Sequence, residues 1–152
     1  MAPDAAQRWL ARQVRIIPAI VATMCLIIAN RLWVLRDEVM GSDFFPELWP
    51  YWMLAAGFLC FLYAAKPANR WLMAASGTAA ITGFAGRAIA VLLGLVNTTN
   101  RTNLIAVQAH IAGATYTLCA ILITIVWVRV LRPATTLLER GTKVIPDTSQ
   151  ES

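Results

Sequence analysis

Carboxylates are absent from every long apolar run of this 152-residue chain; its Asp and Glu residues lie in the connecting segments and at the two ends. Histidine occurs once, at His110. The three cysteines, Cys25, Cys60 and Cys119, sit inside apolar runs with no CxxC spacing. These shortages exclude whole classes of chemistry. One histidine and no acid within the runs leave no metal triad, no paired haem ligands and no pair of carboxylates for acid–base work. Serine and threonine are present but have no evident base beside them, and no glycine-rich phosphate loop follows a strand. The chain is therefore expected not to be an enzyme: no catalytic residue, no metal and no cofactor. An odd number of cysteines in apolar surroundings reads as small buried residues, not as a disulfide framework.

Charge is scarce as well. Only 14% of residues are charged and 59% are hydrophobic, against about 25% charged in ordinary soluble domains. That composition indicates an integral membrane protein whose first partner is the lipid bilayer. The formal charge of +5 does not point to nucleic acid, because the basic residues cluster at the ends of apolar runs, as topology signals do.

What is there is four apolar runs, expected to form spans at about 14–35, 48–65, 71–96 and 104–131, with 132–152 as a polar tail. The fold class is all-α, a four-helix membrane bundle. Pro18 falls in the first turns of the first span, where a missing backbone donor costs little. Pro133 is expected to end the last helix, and the tail beyond it to be partly disordered. The first span follows basic residues as a signal peptide does, but no small-x-small cleavage site follows it, so it reads as uncleaved. Phe44, Phe45, Trp49, Tyr51 and Trp52 form an aromatic belt at the bilayer surface.

The third run organises the rest. At about 100° per residue, Ala75, Ala79, Gly83, Gly86, Ala90 and Gly94 share one face of a helix. Small residues let helix backbones approach closely where no hydrophobic force drives association. Ala109 and Gly113 belong to a similar face in the fourth run, and the two faces are expected to pack together, within one chain or between chains. Arg87 lies beside the first of these faces, where its charge is costly and calls for a compensating contact.

Basic residues set the orientation. Arg8, Arg12, Arg15, Lys66, Arg70, Arg129, Arg132, Arg140 and Lys143 fall on one side of the four spans, and only Arg36 and Arg101 on the other. Both termini are thus expected in the cytoplasm, with the protein integral to the cytoplasmic (inner) membrane. This orientation puts Asn30, Arg31, Arg87 and His110 in the outer leaflet, beneath an acidic and aromatic loop that includes Asp43 and Glu47. Two readings are open for this group. In one, Arg87 holds a small anion or a lipid head group, as in a transporter-like or receptor-like bundle. In the other, Arg31 snorkels to head groups, Arg87 pairs with Asp43 or Glu47, and His110 hydrogen-bonds a neighbour.

Hydropathy, length, basic ends and glycine- and alanine-rich spans together resemble the small multi-span holins of bacteriophages. The resemblance implies a homo-oligomer that accumulates and then opens the cytoplasmic membrane to a lytic enzyme. An accessory subunit bound to a membrane partner shares the same features. Both act by helix association.

Overall fold

The computed structural model describes residues 3–34, 48–97 and 103–144, with side chains over 8–34, 48–93 and 110–140. Among the described residues every element is helical: α1 (Pro3–Val34), α2 (Leu48–Ala65), α3 (Arg70–Asn97), α4 (Asn103–Val126), a π-helical turn (Trp127–Leu131) and α5 (Arg132–Val144). Four of the helical stretches are long and apolar enough to cross a membrane.

Neighbouring spans run antiparallel, and packing follows chain order. Trp33 near the end of α1 meets Tyr51 near the start of α2, ring centroids 5.5 Å apart and nearly perpendicular. Gly86, late in α3, meets Trp49 at the start of α2. Tyr116, near the middle of α4, meets Phe84, near the middle of α3, at 6.3 Å. The buried residues recur at helical spacing: Val14, Val21, Cys25 and Ala29 on α1, and Met53, Ala56, Cys60 and Tyr63 on α2. Each helix thus turns one stripe inward. Large apolar residues such as Ile27, Phe58, Ile89 and Ile121 face outward. An apolar exterior around a packed interior suits a hydrocarbon solvent and not water.

Hydroxyls inside the spans are satisfied by their own helix. Thr23, Thr115, Thr117 and Thr124 each donate to the carbonyl four residues earlier, at 2.7–2.9 Å. Such back-bonding lets a polar residue sit where no water can hydrate it. Cys25 and Cys60 are buried and reduced, and Cys119 is half-buried.

Two elements differ from the sequence expectation. First, the helix that carries the first expected span starts well before it, at Pro3. Residues 3–13 are rich in Ala, Arg, Gln and Leu and contain no glycine, so nothing in them halts a helix propagating from the span. Pro18 therefore lies deep in the helix interior, where it removes the bond to the Val14 carbonyl.

Second, Pro133 does not end the last helix. The chain passes from α4 through the π turn straight into α5. The Arg132 N–H donates to the Trp127 carbonyl, five residues back. This widened turn takes up the mismatch where a proline can neither donate nor fit against the carbonyl four residues before it. Pro133 then occupies the first turn of α5, where its missing N–H is harmless. On either side of it, Leu131 and then Ala134, Thr135 and Leu138 form one buried or half-buried stripe that holds α5 against the bundle.

Candidate functional site

Glycines on α3 admit the largest side chains of its neighbours. A Cβ at Gly83 would lie 3.0 Å from Cδ1 of Trp52, and one at Gly86 would lie 2.6 Å from the Trp49 ring. A Cβ at Gly77 would overlap the Trp127 ring of the π turn. The small face of α3 thus receives indoles from α2 at Gly83 and Gly86, while Gly77, on another side of the helix, receives the indole of the π turn. The sequence reading paired it with the small face of α4, but Gly113 of α4 faces Val91 and Leu92, 3.5–3.6 Å from its would-be Cβ. Close packing demands that volume missing from one helix be filled from another, and an indole fills it best.

The indoles gain more than volume. Trp52 Nε1 donates to the Ala79 carbonyl at 3.0 Å, and Trp127 Nε1 donates to the Met73 carbonyl at 2.9 Å. Each acceptor stands four residues before a glycine, Gly83 or Gly77, and three before a hydroxyl that also points to it. Thr82 donates to Ala79 O at 3.2 Å, and Ser76 to Met73 O at 3.2 Å. A Cβ at either glycine would press on the indole ring itself; its absence lets the ring lie close enough to the helix for its N–H to reach the carbonyl. An indole N–H inside a membrane needs such a partner. The signal in the sequence was the repeated hydroxyl–glycine pair, Ser76-Gly77 and Thr82-Gly83.

Arg87 is buried, at 5% exposure. It stands one turn beyond Phe84 on α3, and both face Tyr116 of α4. The guanidinium carbon lies 5.8 Å from the Tyr116 ring centroid, within reach of a cation–π contact. Around it, Ala88, Ala90 and Val91 are buried. Asn30, Arg31 and His110 lie toward the same end of the bundle but are exposed. Arg87 is the one member of that predicted group which the fold encloses. Asp43 and Glu47 lie outside the described residues. Of the predicted packing residues, Gly83, Ala90 and Gly113 are buried, Ala79 and Gly86 half-buried, and Ala75 exposed. The burial of Gly94 and Ala109 lies outside what the structure describes.

At the opposite end a cleft of about 1070 Å³ opens between the turn joining α2 to α3, the first half of α3, and the π turn. The 66–69 turn closes with Asn69 N–H donating to the Lys66 carbonyl at 3.1 Å. Asn69 then caps α3, its Oδ1 accepting from the N–H groups of Trp71 and Leu72 at 2.9 and 3.1 Å. Arg70 Nε pairs with Glu139 of α5 at 3.5 Å, both partly exposed. Among the described residues no group of three or more His, Cys, Asp or Glu side chains is arranged to hold a metal ion. Comparison with family models, with curated proteins and with solved structures gives no match.

Proposed function

We propose that this chain is an integral protein of the cytoplasmic membrane, crossing it four times with both termini inside, and that it acts by helix association. The form of action is a homo-oligomeric, holin-like pore or lesion, or an accessory subunit bound to a membrane partner. One observation carries the reading: only 22% of the most apolar stretch of the fourth span is buried within the chain, against 50% for the third. Ile111, Leu118, Ile121, Leu122 and Ile125 leave that span apolar outward, a surface available to a second copy or to another membrane helix. Supporting the orientation, Arg8, Arg12, Arg15, Lys66, Arg70, Arg129, Arg132 and Arg140 all belong to the end of the bundle formed by the start of α1, the 66–69 turn and α5.

Controlled expression tests it. Membrane potential is followed as the protein accumulates, together with cross-linked size. Abrupt collapse at a threshold level is the outcome expected of a lesion former. Harmless accumulation as a homo-oligomer or with a cross-linked partner leaves the accessory role. Harmless accumulation as a monomer overturns association altogether.

A second reading, a bundle binding a small anion or lipid head group at Arg87, draws on the enclosure of that guanidinium beside Tyr116. A buried cation in a span is costly and is characteristically tied to a site or to a partner.

A further inference from the structure

We propose that the cleft between the 66–69 turn, α3 and the π turn binds one anionic phospholipid, head group at the mouth and acyl chain along α3. The inference rests on the membrane-spanning reading above, but not on assembly and not on which side the termini occupy.

The mouth is cationic. Lys66, Arg70 and Arg132 line it against one acid, Glu139, which is already engaged with Arg70. Trp71 beside them is 86% exposed. A tryptophan projecting from a helix end in this way marks the head-group level of a bilayer. Below the mouth the walls turn apolar: Met73, Gly77 and Ile81 on α3, Trp127 and Val128 opposite. From Arg70 to Ile81 the cleft descends α3 by about 16 Å. One leaflet's hydrocarbon is about 15 Å deep. A free phosphate would use only the mouth; a second copy of the chain would bring like charge to it. A molecule with a negative head and a chain reaching the bilayer midplane matches both halves. Basic pockets between membrane helices are known to recognise anionic lipid head groups in this manner.

The cleft is also preformed. Gly77 sets the Trp127 ring back against α3, and the indole N–H to the Met73 carbonyl fixes its plane. The wall therefore need not be ordered when a lipid arrives.

The test uses the full chain in nanodiscs of equal phosphatidylglycerol and phosphatidylcholine, with retained lipid read by native mass spectrometry. One phosphatidylglycerol per chain should be retained in preference to phosphatidylcholine. Lys66→Gln with Arg132→Gln should reduce that preference about fivefold per cation removed. Ala74→Phe, at an exposed position on the cleft wall, should reduce retention while leaving every charge in place. Inorganic phosphate at millimolar level should not displace the lipid. Equal retention of both lipids, retention unchanged in either variant, or displacement by phosphate would each overturn the site. Vesicle flotation of the same preparations is read in parallel. A chain that does not float fails as a membrane protein; one that floats without lipid selectivity fails only here.

Discussion

The Tyr63 hydroxyl lies 2.5 Å from Oγ1 of Thr135, with both residues fully buried. The contact joins α2 to α5, so the segment after the π turn is locked to the core by a polar bond inside an apolar setting. Trp127 packs against the same tyrosine ring at 6.3 Å. Arg70 and Glu139 make a second, more exposed tie between α3 and α5. Of the two, the buried bond carries more weight, because partly exposed ion pairs contribute about 0–1 kcal/mol.

Tyr63→Phe should therefore destabilise the protein by about 1–3 kcal/mol, since it leaves the Thr135 hydroxyl buried without its acceptor or donor. Adding Thr135→Val should recover most of that loss, because removing both polar groups removes the unmet one. Thermal unfolding in bicelles measures both. A double variant no more stable than Tyr63→Phe alone would mean the hydroxyls do not meet.

The glycines of α3 predict a graded series. Gly77→Ala places a methyl group inside the Trp127 ring and should cost about 1–3 kcal/mol through overpacking. Gly83→Ala meets Trp52 at 3.0 Å. Trp52 is exposed and can yield, and alanine favours the helix by about 1 kcal/mol, so this variant should be close to neutral. Gly83→Leu cannot be absorbed and should separate α2 from α3, whereas Ile81→Leu should behave like the parent. Melting temperature and indole emission report each step. A Gly77→Ala protein as stable as the parent, with unchanged emission, would remove Trp127 from its place over Gly77.

That the chain folds as four long apolar helices is legible because each run has at least the roughly 17–25 residues that cross a bilayer's hydrocarbon core and contains no acid. Periodicity also shows which residues of α3 share a face. It does not show what that face meets: Gly83 and Gly86 could be read as small-on-small contacts, whereas the structure fills them with Trp52 and Trp49. The reason is physical. Loss of volume on one helix can be matched by close approach or by a large partner ring, and both leave the same glycine pattern. The helical tail was hidden by Pro133, which stops most helices but here follows a π turn. Burial of Arg87 was legible only as a depth along its helix. Its neighbour Tyr116 is on another span, and no spacing within α3 points to it.

Orientation is open to a direct measurement. In a background with Cys25, Cys60 and Cys119 replaced, single cysteines at 40 and 99 should react with an impermeant reagent from outside, and those at 68 and 145 should not. That pattern is expected if the basic residues at the end bearing Lys66 and Arg70 keep that end in the cytoplasm. Labelling at 68 from outside would invert the topology while leaving the four crossings intact.

Arg87 separates the two functional readings. An arginine near the centre of a span costs about 2.5–3.5 kcal/mol by insertion scales. The Tyr116 contact at 5.8 Å offsets part of this, since a cation over an aromatic face gains about 0.5–2 kcal/mol. The sequence reading offers two further partners, a carboxylate of Asp43 or Glu47 and an anionic ligand, and substitution tells them apart. Arg87→Lys keeps the charge but gives up the planar guanidinium that stacks on a ring, so it should be less stable than the parent if Tyr116 matters. Arg87→Leu removes the charge itself. If a carboxylate compensates Arg87, Arg87→Leu should assemble poorly and recover when Asp43 or Glu47 is also neutralised, because the second change removes the charge left behind. If a ligand does, Arg87→Leu should insert and melt like the parent yet lose activity that neither Asp43→Asn nor Glu47→Gln restores. Insertion, melting temperature and the membrane-potential assay read these outcomes separately. Parent-like behaviour of Arg87→Leu in all three would exclude both partners and leave association through the exposed fourth span as the working mechanism.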